Sequence, residues 1–66
     1  MDSEKEIYYA AAVMMKFYGA DADVEAAQRT VESLESGDLE CAATWRRILR
    51  AIQMMQSGPQ EGELVN

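Results

Sequence analysis

The chain has no histidine and, in 66 residues, only one cysteine, one proline, one tryptophan and one phenylalanine. Each absence excludes something. Without histidine there is no imidazole for acid–base catalysis and no zinc site built on His. A lone Cys41 has no disulfide partner in the chain, and as a catalytic thiolate it would need a base, usually His. Positive charge is also scarce: twelve acids face six bases, for a net charge of −6 and a pI near 4.3. Phosphates demand positive charge, so direct nucleic-acid binding is not expected. No stretch alternates with period two, and no hairpin dipeptide, Gly-rich phosphate loop, EF-hand loop or nucleophile elbow occurs. The longest apolar run, residues 7–15 (IYYAAAVMM), is far short of the roughly 20 residues that span a bilayer. It also follows an acidic start, unlike the basic start of a secretory signal. A single cysteine suits a reducing cytoplasm.

What is present is apolar content, 48% of residues, which excludes disorder throughout. The pattern predicts an all-α fold: a small three-helix bundle with short loops, spanning 1–56, and a disordered acidic tail at 57–66. The first helix is expected over about 4–18. Ser3 and Glu6 have the spacing of a capping box, and Gly19 supplies a left-handed stop. The second is expected over 24–36, capped by Asp21 or Asp23 and ended by Gly37. Its apolar residues Val24, Ala27, Val31 and Leu34 recur at spacings of 3, 4 and 3, one narrow stripe that should face the core. The third is expected over 39–56, capped by Asp38 and stopped by Ser57-Gly58-Pro59. Its stripe is Ala42, Trp45, Ile48, Leu49, Ile52 and Met55.

A domain of this size buries only about 60% of its unfolded surface, and here no disulfide or metal is expected to help. Either the helices pack very efficiently or a second copy or partner supplies part of the core. Two features bear on that choice. The first helix is apolar on too many sides. Ile7, Ala11, Met14 and Tyr18 make one face, while Tyr8, Tyr9, Val13 and Met15 extend round it as a candidate homodimer face. The alternative is that this helix is simply the central one. The second feature is charge. Asp21, Asp23, Glu25, Glu32, Glu35, Asp38 and Glu40 stand against Arg29 alone, so residues 21–40 carry the whole net charge of −6. Such a run is either a solvated face that keeps the protein soluble or a surface presented to a basic partner. Arg46, Arg47 and Arg50 cluster on the third helix, where pairing with acids of the other helices is expected. Cys41, near Trp45, reads as a buried structural thiol.

Tyr18-Gly19 closing a first helix, Val24 through Leu34 as a second, then Gly37-Asp38, Trp45 and Ile48 in a third, resemble a family of short helical proteins of bacteria and their phages. The resemblance covers residues 5–55 and implies a fold, without site residues. In size and charge the chain is also similar to phage-encoded anti-CRISPR inhibitors of the DNA-mimic type. That similarity implies a cofactor-free, non-enzymatic inhibitor in the bacterial cytoplasm. Its seven acids would occupy a basic nucleic-acid-binding surface of a protein partner, such as a CRISPR effector complex, with no direct nucleic-acid or membrane contact. A homodimeric structural or regulatory module, pairing through the first helix, is the alternative expectation.

Overall fold

A computed structural model describes residues 4–57. The fold is all-α: α1 (Glu4–Tyr18), a 3-10 turn (Gly19–Asp21), α2 (Ala22–Glu35) and α3 (Leu39–Ser57). Three boundaries differ from expectation. α2 starts two residues earlier than Val24 and stops at Glu35, and α3 takes in Ser57. The remainder of the expected tail, 58–66, and the Ser3 cap lie outside the described residues.

Each turn follows from local chemistry. Gly19 takes φ +58°, the left-handed region that suits glycine, and closes α1. Its carbonyl then accepts the Ala22 N–H, so the 3-10 turn runs directly into α2. Asp21 stands at the N-cap but makes no side-chain capping bond. The Asp23 carboxylate accepts the N–H of Val24 at 2.8 Å. At the other end, Gly37 (φ +83°) forms a Schellman closure. Gly37 N–H donates to the Leu34 carbonyl at 3.1 Å, and Asp38 N–H to the Ser33 carbonyl at 2.9 Å. Asp38 then caps α3, its Oδ1 accepting the Cys41 N–H at 3.1 Å. One two-residue corner therefore satisfies both the end of α2 and the start of α3.

α3 is the spine. It packs along α2 most extensively and along α1 next, while α1 and α2 touch least. The core is Ile7, Ala11 and Met14 from α1, Ala22 and Ala26 from α2, and Ile48, Ala51 and Ile52 from α3, with Trp45, Leu49, Met15 and Ala10 packed at its margin. The expected α3 stripe faces inward, except that Met55 is exposed. The expected α2 stripe does not.

Candidate functional site

α2 buries its small residues and exposes its large ones. Ala22, Ala26, Thr30 and Ser33 face the core, whereas Val24, Val31 and Leu34 are 59%, 50% and 51% exposed. The two stripes lie about a third of a turn apart on the helix. This corrects the expectation that Val24, Ala27, Val31 and Leu34 face inward. Small residues let helix backbones approach closely. The two buried hydroxyls are satisfied within the helix: Thr30 donates to the Ala26 carbonyl and Ser33 to that of Arg29, each at 2.9 Å. Ser33 also contacts Cys41 Sγ at 3.3 Å. The cysteine is half-buried beside that contact rather than fully enclosed.

Arg29 locks this rotation of α2. Its Nη1 donates to Glu25 Oε1 at 2.9 Å, and its Nη2 to the Tyr18 hydroxyl at 3.1 Å. The guanidinium carbon stands 5.5 Å from the ring centroids of both Tyr18 and Trp45, within cation–π range. The hydrogen bond to Glu25, then that to Tyr18, raises the guanidinium pKa further. Turning α2 to bury Val31 and Leu34 would pull Arg29 off both rings. Sequence reasoning missed this cluster; the i, i+4 spacing of Glu25 and Arg29 was a signal for its ion pair only.

The arrangement also spends the one base of the acidic window. Glu25, half-buried, is taken up by Arg29. Asp38 is taken up by the α3 cap. Asp21, Glu32, Glu35 and Glu40 are exposed, and among the described residues none of them has an ion-pair partner. Asp23 is half-buried at the start of α2. The seven acids thus divide between structural duties and a free set. Glu32 and Asp38 border an open groove of about 320 Å³ with Arg29, Ser33, Cys41 and Trp45.

The four expected dimer-face residues do not share one face. Tyr9 is 72% exposed and forms an outward stripe with half-buried Val13 and with Phe17, 74% exposed. Tyr8 and Met15 lie on another side: Tyr8 borders a cleft with Ile7, Arg47, Arg50 and Met54, and Met15 packs against the core. On α3, Arg46 and Arg50 have no ion pair among the described residues, contrary to the pairing expected for them. They line an open groove of about 400 Å³ with Ala43, Leu49 and Gln53.

No family model, curated protein or solved structure matches this chain. Among the described residues, no cluster of three His, Cys, Asp or Glu side chains is placed to hold a metal. No described helix is long and apolar enough to cross a membrane. What the surface of α2 presents is an exposed apolar row. The α2 stripe has the 3-4-3 spacing of a coiled-coil seam, flanked by carboxylates. Covering the exposed half of Val24, Val31 and Leu34 would recover about 1 kcal/mol each.

Proposed function

We propose that this chain, a small three-helix bundle, is a non-enzymatic protein-binding inhibitor that acts from the bacterial cytoplasm through α2. The observation that carries the reading is the outward Val24–Val31–Leu34 stripe with the exposed Glu35 at its edge, and with exposed Glu32 farther round α2 and Glu40 in the first turn of α3. Apolar contact supplies hold, while Glu32, Glu35 and Glu40 supply attraction to a basic surface and a faster encounter. A groove that evolved to bind nucleic acid is such a surface. An acidic occupant would exclude the natural ligand, which is the mode of an anti-CRISPR inhibitor of the DNA-mimic type. Asp21 and Asp23 extend the acidic rim at the N-terminal end of α2; Glu25 and Asp38, held by Arg29 and the α3 cap, contribute field rather than contact.

The test is capture from nuclease-treated bacterial lysate at low and high salt, comparing the natural chain with E32K/E35K/E40K. The expected result is a nucleic-acid-binding protein, released by salt, lost with the triple reversal, and blocked from its nucleic acid by the natural chain. Capture unchanged by the reversal, or recovery of the bait alone, would overturn the reading. A second reading, a homodimeric module pairing through α1, is favoured by one observation: the exposure of Tyr9 and Phe17.

A further inference from the structure

The outer face of α3 carries a row of exposed residues, Ala43, Arg46, Arg50 and Gln53, at spacings of 3, 4 and 3. They line the groove of about 400 Å³ together with Leu49 and Arg47. No acid lines it, and α3 holds none between Cys41 and Ser57. Neither Arg46 nor Arg50 has an ion-pair partner among the described residues. Glu4 borders the adjoining cleft beside Arg50 without pairing to it.

Nine residues follow Ser57, and they hold two acids, Glu61 and Glu63, and no base. Gly58, Pro59 and Gly62 disfavour a helix there. In an extended chain, residues two apart point to the same side and stand about 6.6 Å apart. Residues four apart on one face of a helix stand about 6 Å apart along its axis. Glu61 and Glu63 therefore match Arg50 and Arg46 in spacing as well as in charge. The reach is sufficient. Arg50 and Arg46 lie about 11 and 17 Å back from Ser57 along α3, while four and six extended residues span about 13 and 20 Å. We propose that the occupant of this groove is the chain's own segment 60–65, doubled back along α3 with Glu61 on Arg50, Glu63 on Arg46 and Val65 over Ala43. Two exposed ion pairs hold little by themselves. Tethering supplies the rest, because a short linker keeps the segment at a local concentration on the order of millimolar. The consequence is electrostatic. With Arg46 and Arg50 covered, no positive groove offsets the acids of residues 21–40 as the chain approaches a basic surface. The inference does not depend on the α2 stripe, so its failure leaves the reading of that stripe untouched.

Amide NMR of the full chain tests the contact. In C41S/N66C, a nitroxide at position 66 broadens the signals of residues near it. The expected result is greater intensity loss at Ala43 and Arg46 than at Gln53 and Gln56. A segment held away from the groove gives the opposite gradient, because it is anchored at Ser57. E61K/E63K and R46E/R50E should each abolish the loss at Ala43 and Arg46, and a chain carrying all four changes should recover it. Salt at about 1 M, which screens charges beyond about 3 Å, should abolish it too. Far-UV circular dichroism checks that the helices persist. If the labelled chain unfolds, the amide shifts of residues 61–63 in the natural chain and in R46Q/R50Q read the same contact without a label, and a change is expected. A gradient that peaks at Gln56, one indifferent to the reversals, or label-free shifts that do not move would overturn the proposal. Equal broadening of an unlabelled copy by a labelled one would overturn it as well, placing the segment on a second molecule.

Discussion

Helices α2 and α3 both carry an apolar stripe at helical spacing, yet one turns its stripe inward and the other outward. In α3, Ile48, Ala51 and Ile52 are buried between two neighbours, and the polar side carries Arg46 and Arg50. In α2, Val24, Val31 and Leu34 stay outside while Ala22, Ala26, Thr30 and Ser33 are buried. The difference teaches that hydrophobicity orients a helix only where nothing else competes. α3 is the spine, and its large residues fill the space between α1 and α2. α2 has one face to pack, and its orientation answers to close approach and to the Arg29 cluster.

Core substitutions should separate the two helices most sharply. Ile52→Ala removes the largest fully buried side chain and is expected to cost about 2–5 kcal/mol in urea unfolding, a large share of the stability of so small a domain. Ala26→Leu adds volume to the buried side of α2 and should cost about 1–3 kcal/mol. A neutral result there would show that α2 can roll onto its Val/Leu stripe. Gly37→Ala comes next, at about 1 kcal/mol. A new Cβ would meet nothing within 4 Å, so the whole cost is the left-handed backbone at φ +83°. Asp38→Ala should also cost about 1 kcal/mol through the lost cap. Val31→Ala, on the outward stripe, should change stability by less than about 0.5 kcal/mol. A large loss of stability from that change would place Val31 in the core after all.

Much of the chain's course was legible in its residues. Gly19 and Gly37 marked both helix ends because a left-handed residue is hard to replace, and Asp38 marked the start of α3 because its carboxylate meets an orphan N–H. The inward stripe of α3 followed from periodicity. Of the two caps expected for α2, Asp21 holds the N-cap position without a side-chain bond, while the Asp23 carboxylate takes the Val24 N–H. The rotation of α2 was hidden. A scale that weighs apolar size ranks Val and Leu above Ala, Ser and Thr, whereas close packing against α3 rewards the smaller set. The site inherits that blind spot. Its acids were visible as a charge run, but the apolar row among them was assigned to the core, and the capture of Arg29 by Tyr18 and Trp45 depends on residues eleven and sixteen positions away.

The corner at Gly37 and Asp38 also bears on the order in which the chain assembles. It lies in the three-residue connection between the two most extensively packed helices, so their contacts close small loops at little entropic cost. Ser33 meets Cys41 only eight residues on, and Arg29 meets Trp45 sixteen on. α1 has the longer search: even the Gly19 carbonyl just past its end meets its donor, the Gln56 amide, 37 residues on. The α2–α3 hairpin is therefore the expected nucleus, and α1 the last helix to dock.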